Sequence, residues 1–154
     1  MAKKKGYERR TDPEKIQSQW HKLTGLHSRE EWSAAIVRAA TAAEIAANFS
    51  VRKEFASKGR FRSDFVNSLL RWANGLDGKM NRLLLPITKG TTHHRRFADV
   101  KKDAEEINQK RNAIVHQGEF CNADESAEVI LRARLFIETV VRIYKPKFRL
   151  RDQK

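Results

Sequence analysis

Trp32, Ile36, Ala39, Ala43 and Ala46 recur at alternating spacings of four and three, which predicts one buried face of a helix over about 29–57. The many alanines there permit a neighbouring helix to approach closely, and Ser28 to Glu31 has the capping-box spacing that opens such a helix. Ahead of it, Asp12 as cap, Pro13 at the first helical position and Gly25 past the end outline a shorter helix over about 13–23. Phe65, Leu69 and Trp72 mark the apolar line of a third helix that starts after Ser63 and ends near Gly75. A fourth runs from Asp77 until Pro86 stops it. The stretch 86–96 reads as a basic loop, and helical patterning resumes over about 97–117, with Gly118 as a left-handed stop. The last helix, about 124–145, carries two adjacent apolar lines, Val129, Ala133, Phe136, Val140 and Ile143 beside Ile130, Ile137, Val141 and Tyr144, and is expected to be central. No strand-length alternation competes. The expected fold class is all-α, an antiparallel helical bundle of about five to six helices.

The length of 154 residues suits one domain, read as 12–146, between a basic arm at 1–11 and a basic tail at 147–154. The arm holds Lys3, Lys4, Lys5, Arg9 and Arg10 with almost nothing apolar, so it is expected to be mobile. Lys plus Arg number 32 against 19 Asp plus Glu, a formal charge of +13 that makes nucleic acid the first partner to consider. The lone Cys121 offers no intrachain disulfide and too few thiolates for a cysteine zinc site; a reducing, cytoplasmic setting fits. The reading finds no apolar run near the roughly 18 residues that span a bilayer and no signal peptide behind the basic start, so no membrane partner is expected. Trp20, Trp32 and Trp72 each fall in apolar helical spacing and read as core residues rather than base-stacking ones.

Chemistry concentrates at Arg111-Asn112-Ala113-Ile114-Val115-His116. Val100, Ala104, Ile107, Arg111 and Ile114 follow one core-facing line, so Arg111 must either snorkel to water or meet acceptors in a partly desolvated site. Glu105, Gln109, Asn112 and His116 form a polar line about 100° round the helix. Arg111 and His116 are about 140° apart on an ideal helix, so one chain supplies half a site. Glu44 interrupts its own apolar line of Val37, Ala40, Ala47 and Val51; two readings stand, that it pairs with Arg111 and orients it, or that it lies at the solvent edge. His93, His94, Arg95 and Arg96 are candidates for phosphate contact. Adjacent histidines with no carboxylate or thiolate at ligand spacing argue against a metal. Gly75 to Lys79 lacks the spacing and the following Ser or Thr of a phosphate-binding loop.

The R-N-x-x-x-H string, late in the chain on a long helix and followed by a final apolar helix, resembles the signature of the HEPN superfamily (higher eukaryotes and prokaryotes nucleotide-binding), small helical proteins many of which cut RNA without a metal. The resemblance implies a HEPN-like bundle, a homodimer with a composite cleft at its interface, RNA as substrate, no cofactor, and a toxin or antiviral-defence role. Arg111 would clamp phosphate, His116 would serve as acid or base, and Asn112 would support them; Lys3, Lys4, Lys5, Arg9 and Arg10 would hold RNA with the 93–96 segment. The alternative is a HEPN-like module that binds nucleic acid or protein without chemistry. A protein antitoxin or regulator is a further partner class. Control by modification of a tyrosine two residues past the histidine is not supported, because Gly118 stands there.

Overall fold

The computed structural model describes residues 3–152, and among them every regular element is helical. Helices α1 (Asp12–Ser28) and α2 (Trp32–Lys58) form a hairpin, and α3 (Ser63–Trp72) follows the end of α2. Then α4 (Gly75–Gly78), a π-helical turn at Lys79–Leu84 and α5 (Leu85–Thr88) run on as one winding, before α6 (His94–Asp99), α7 (Lys101–Gln117) and α8 (Ala123–Tyr144). The all-α bundle expected from the periodicity is the fold of the chain.

Helix α2 is the hub and packs against α1, α7 and α8. Ala35, Ala39, Ala42, Ala43, Ala46 and Ala47 are fully buried along it, so α2 meets its neighbours largely through small methyl groups that leave room for their bulkier side chains. The Cys121 N–H donates to Ser33 Oγ (3.0 Å) at the start of α2, while the Tyr144 hydroxyl donates to Glu54 Oε2 (2.6 Å) near its end. Helices α2 and α8 therefore run parallel, with α1 and α7 antiparallel to them. Contrary to the expectation from the sequence, α2 is long and apolar enough to cross a bilayer. In the fold its alanine face is buried against the neighbouring helices instead.

Several boundaries differ from expectation for local reasons. Thr11, not Asp12, caps α1, in a reciprocal capping box with Glu14. The helix passes through Gly25 to Ser28, where Glu30 turns left-handed at φ 63°, so the Ser28–Glu31 spacing closes α1 rather than opening α2. Pro86 lies inside a winding: the π turn before it widens the helix where the ring would otherwise meet a carbonyl one turn back. A Cβ on Gly78 would come within 2.9 Å of the Ala73 carbonyl carbon, which fixes glycine at this crossing. The supposed basic loop shrinks to 89–93, because His94, Arg95 and Arg96 begin α6. On α3, Val66 and Leu70 face the core, while Phe65 and Trp72 are 48% and 59% exposed. This helix touches mainly the end of α2, which covers only one narrow side of it.

Both ends of the described chain, from Lys3 and up to Asp152, lie against the bundle. Gln19 donates to the Tyr7 hydroxyl (3.0 Å), and Arg10 donates to Ser18 (2.9 Å) and to the Lys5 carbonyl (3.1 Å), which lays the arm along α1. At the other end Leu150 is buried, and Asp152 accepts from Trp20 Nε1 (2.8 Å) and Arg134 (2.5 Å). The segment read as a basic tail is thus seated through Leu150 and the Asp152 carboxylate, with Phe148 packed against the core.

Candidate active site

Helix α7 outruns the core at its C-terminal end. Ala104 and Ile107 are fully buried, Arg111 and Ile114 are half-buried, and Val115 is 46% exposed. Gly118 ends the helix at φ 67°, the left-handed stop expected there, and beyond it Phe120 is 93% exposed. The motif thus occupies the rim of the bundle where the core-facing line opens to solvent.

The Arg111 guanidinium donates to Asn112 Oδ1 at 3.3 Å, a long bond between neighbours. Among the described residues no carboxylate lies within ion-pair distance of it. His116 is exposed in the last turn of α7 and makes no hydrogen bond among the described residues. Its imidazole nitrogens are open to a ligand. No hydrogen bond joins His116 to Arg111, as their angular separation on the helix implies, and none joins it to Asn112, its neighbour one turn back on the polar line.

Glu44 does not pair with Arg111. Its Oε1 accepts from Lys79 Nζ at 3.0 Å, and the same buried ammonium donates to the Leu70 and Ala73 carbonyls, each at 3.3 Å. Three protons meet three acceptors, so Glu44 serves a buried lysine of the π turn. Lys79, inside the glycine-flanked segment read as no phosphate loop, faces inward.

The two adjacent histidines are also held internally. His93 Nδ1 lies 2.9 Å from Glu54 Oε2, a buried carboxylate that also accepts from Tyr144, and His94 Nδ1 lies 3.2 Å from Thr88 Oγ1. Burial and the Glu54 bond push the Tyr144 hydroxyl well above the ordinary phenol range. Arg95 and Arg96 remain exposed on α6. No sequence signal marked Glu54, because its partners lie 39 and 90 residues away.

The cationic arm joins a broader basic face. Lys4, Lys5, Arg10, His21 and Lys22 line one groove along α1, and His21 and Lys22 continue into a second with Arg29 and Arg38. Lys3 and Arg9 are exposed nearby in sequence, and Lys15 and Lys22 lie 5.5 and 6.0 Å from the Tyr7 ring centroid. On the α7–α8 side, Glu119, Cys121 and Glu125 bring ligand atoms within 4.8 Å of one another. Lys110 pairs with both carboxylates there, at 2.9 Å to Glu119 and in close contact with Glu125. Glu125 is held below its ordinary range by that ammonium, and burial pushes the Cys121 thiol up, away from the thiolate a metal needs. The lysine is the cation of this cluster.

Comparison with known protein families, with curated proteins and with solved structures gives no match.

Proposed function

We propose that this chain is a metal-independent endoribonuclease of the HEPN kind, acting as a homodimer. The observation that carries the reading is Arg111: a guanidinium half-buried in a core-facing line, with no acidic partner among the described residues, five residues from an exposed imidazole on the same helix. A permanent planar cation left unpaired is suited to phosphate oxygens. His116 would take the ribose 2′-hydroxyl proton or return one to the leaving 5′-oxygen, an acid–base contribution of roughly 10² to 10⁴ in rate. Arg111 would stabilise charge on the phosphoryl oxygens, and Asn112 would position the guanidinium it already contacts.

Because one α7 directs arginine and histidine apart, two copies of the rim are needed to flank one phosphate. Val115 and Phe120, exposed on either side of His116, supply the apolar contact for such a pairing. The basic groove along α1 would hold the flanking strand by its phosphates.

Purified protein incubated with RNA in chelator is expected to leave 2′,3′-cyclic phosphate and 5′-hydroxyl ends, and His116→Ala to abolish them. Cleavage that survives in His116→Ala, or that stops with chelator, overturns the mechanism. The second reading, a binding module without chemistry, is favoured by the failure of Arg111 and His116 to meet within one chain; salt-sensitive binding with RNA intact from pH 5 to 9 would establish it.

A further inference from the structure

The α2–α3 corner carries exposed aromatic side chains among arginines. Phe61 is 46% exposed, Phe65 48% and Trp72 59%. Phe61 and Phe65 lie nearly parallel, with centroids 6.0 Å apart and planes at 21°, and Phe55 meets Phe61 edge-on at 5.1 Å. Phe65 and Trp72, seven residues apart, share one side of α3 about 10 Å apart along its axis. Between the end of α2 and α3 opens a pocket of about 190 Å³ with an apolar floor of Phe55, Phe61 and Val66 and a polar rim of Arg52, Ser63 and Asn67.

The surroundings are cationic. Lys58, Arg60, Arg62, Arg71 and Arg82 are exposed around this stripe, Arg82 lies 5.0 Å from the Trp72 centroid, and Asp64 is paired to Arg62 at 3.3 Å. A second copy of the chain would bring the same arginines face to face in a two-fold contact, which like-charge repulsion opposes. An anionic partner with flat apolar faces satisfies both features at once. We propose that this corner is a stacking platform for an unpaired nucleic-acid strand: bases lie on Phe65 and Trp72, one base enters beside Phe61, and the arginines follow the backbone. The platform deepens the ribonuclease reading by naming unpaired strands as the substrate class, yet it does not need the motif to be catalytic.

A labelled twelve-residue oligothymidylate tests it, since without 2′-hydroxyls it cannot be cut by the proposed chemistry. Phe65→Ala and Trp72→Ala, at exposed positions, are each expected to weaken binding roughly 5- to 150-fold with little change in salt slope, while Arg60→Ala with Arg62→Ala lowers that slope. Trp72→Phe should keep the affinity, and wild-type tryptophan fluorescence should be quenched on binding in a way Trp72→Phe is not. Unchanged affinity in both alanine variants overturns the proposal. So does a self-association in sedimentation that Phe65→Ala removes, or equal affinity for duplex and single strand. Loss of cleavage in His116→Ala with oligothymidylate binding intact separates this outcome from the fate of the nuclease reading.

Discussion

Lys79 Nζ lies 3.0 Å from Glu44 Oε1 and also donates to the carbonyls of Leu70 in α3 and Ala73 just past it, so one buried ammonium ties the end of α3 and the π turn to α2. Lys79 is only 5% exposed at its side chain and Glu44 is 36% exposed. Removing the carboxylate leaves a nearly enclosed cation short of its charged partner, whereas removing the lysine leaves an acid that water can reach. Glu44→Ala should therefore cost more stability, roughly 3 kcal/mol, than Lys79→Met, and urea unfolding of both variants compares them. Equal losses would contradict this asymmetry.

Asp77 has a buried Oδ1 without a hydrogen-bond partner. Burial first, then the negative charge of Glu105, push its carboxyl above the ordinary range, while Asn108 pulls the other way. The folded state thus holds this proton more tightly than the unfolded state, and stability falls as pH rises from the unfolded pKa through the folded one. Asp77→Asn should raise stability by about 1 kcal/mol at neutral pH, and the gain should shrink as pH falls below 4. Thermal melts of both proteins from pH 3 to 8 measure it.

Tyr144 and Glu54 respond at the alkaline end. The raised phenol contributes stability that is fully present below the unfolded tyrosine pKa, about 10, and is lost as pH rises above it. Tyr144→Phe leaves the buried Glu54 oxygen with His93 alone, an expected loss of about 1–2 kcal/mol at pH 7. The gap to wild type should narrow above pH 10, in chemical unfolding followed across that range.

Composite chemistry makes a sharper demand on the motif. Arg111→Ala and His116→Ala, each inactive alone, should regain about a quarter to half of wild-type cleavage when subunits are exchanged in an equimolar mixture, because some mixed sites then carry both intact residues. Phe120→Glu should give a monomer in sedimentation and abolish cleavage while leaving the helical circular dichroism unchanged. An active monomer would remove the dimer from the mechanism.

Much of the fold was legible along the chain because it rests on local periodicity. The α2 alanine face, the apolar lines of α8 and the Gly118 stop depend on residues three or four apart, or on one backbone angle, and these are written in sequence order. Pro86 does not end the winding because a π turn just before it, which the spacing of apolar residues does not reveal, carries the helix through. The line of Phe65, Leu69 and Trp72 was misread because periodicity shows that a face is apolar but not that anything covers it.

The same division holds at the candidate site. By itself the sequence set Arg111 in a core-facing line and Asn112 and His116 in a polar one, since helical geometry alone decides that. Only the tertiary structure decided which charge meets which: Glu44 goes to Lys79, Glu54 to His93 and Tyr144, Lys110 to Glu119 and Glu125, and Arg111 to no acid among the described residues. Charge pairing depends on distances of a few ångströms between side chains up to 90 residues apart, and those distances exist only once the helices have packed.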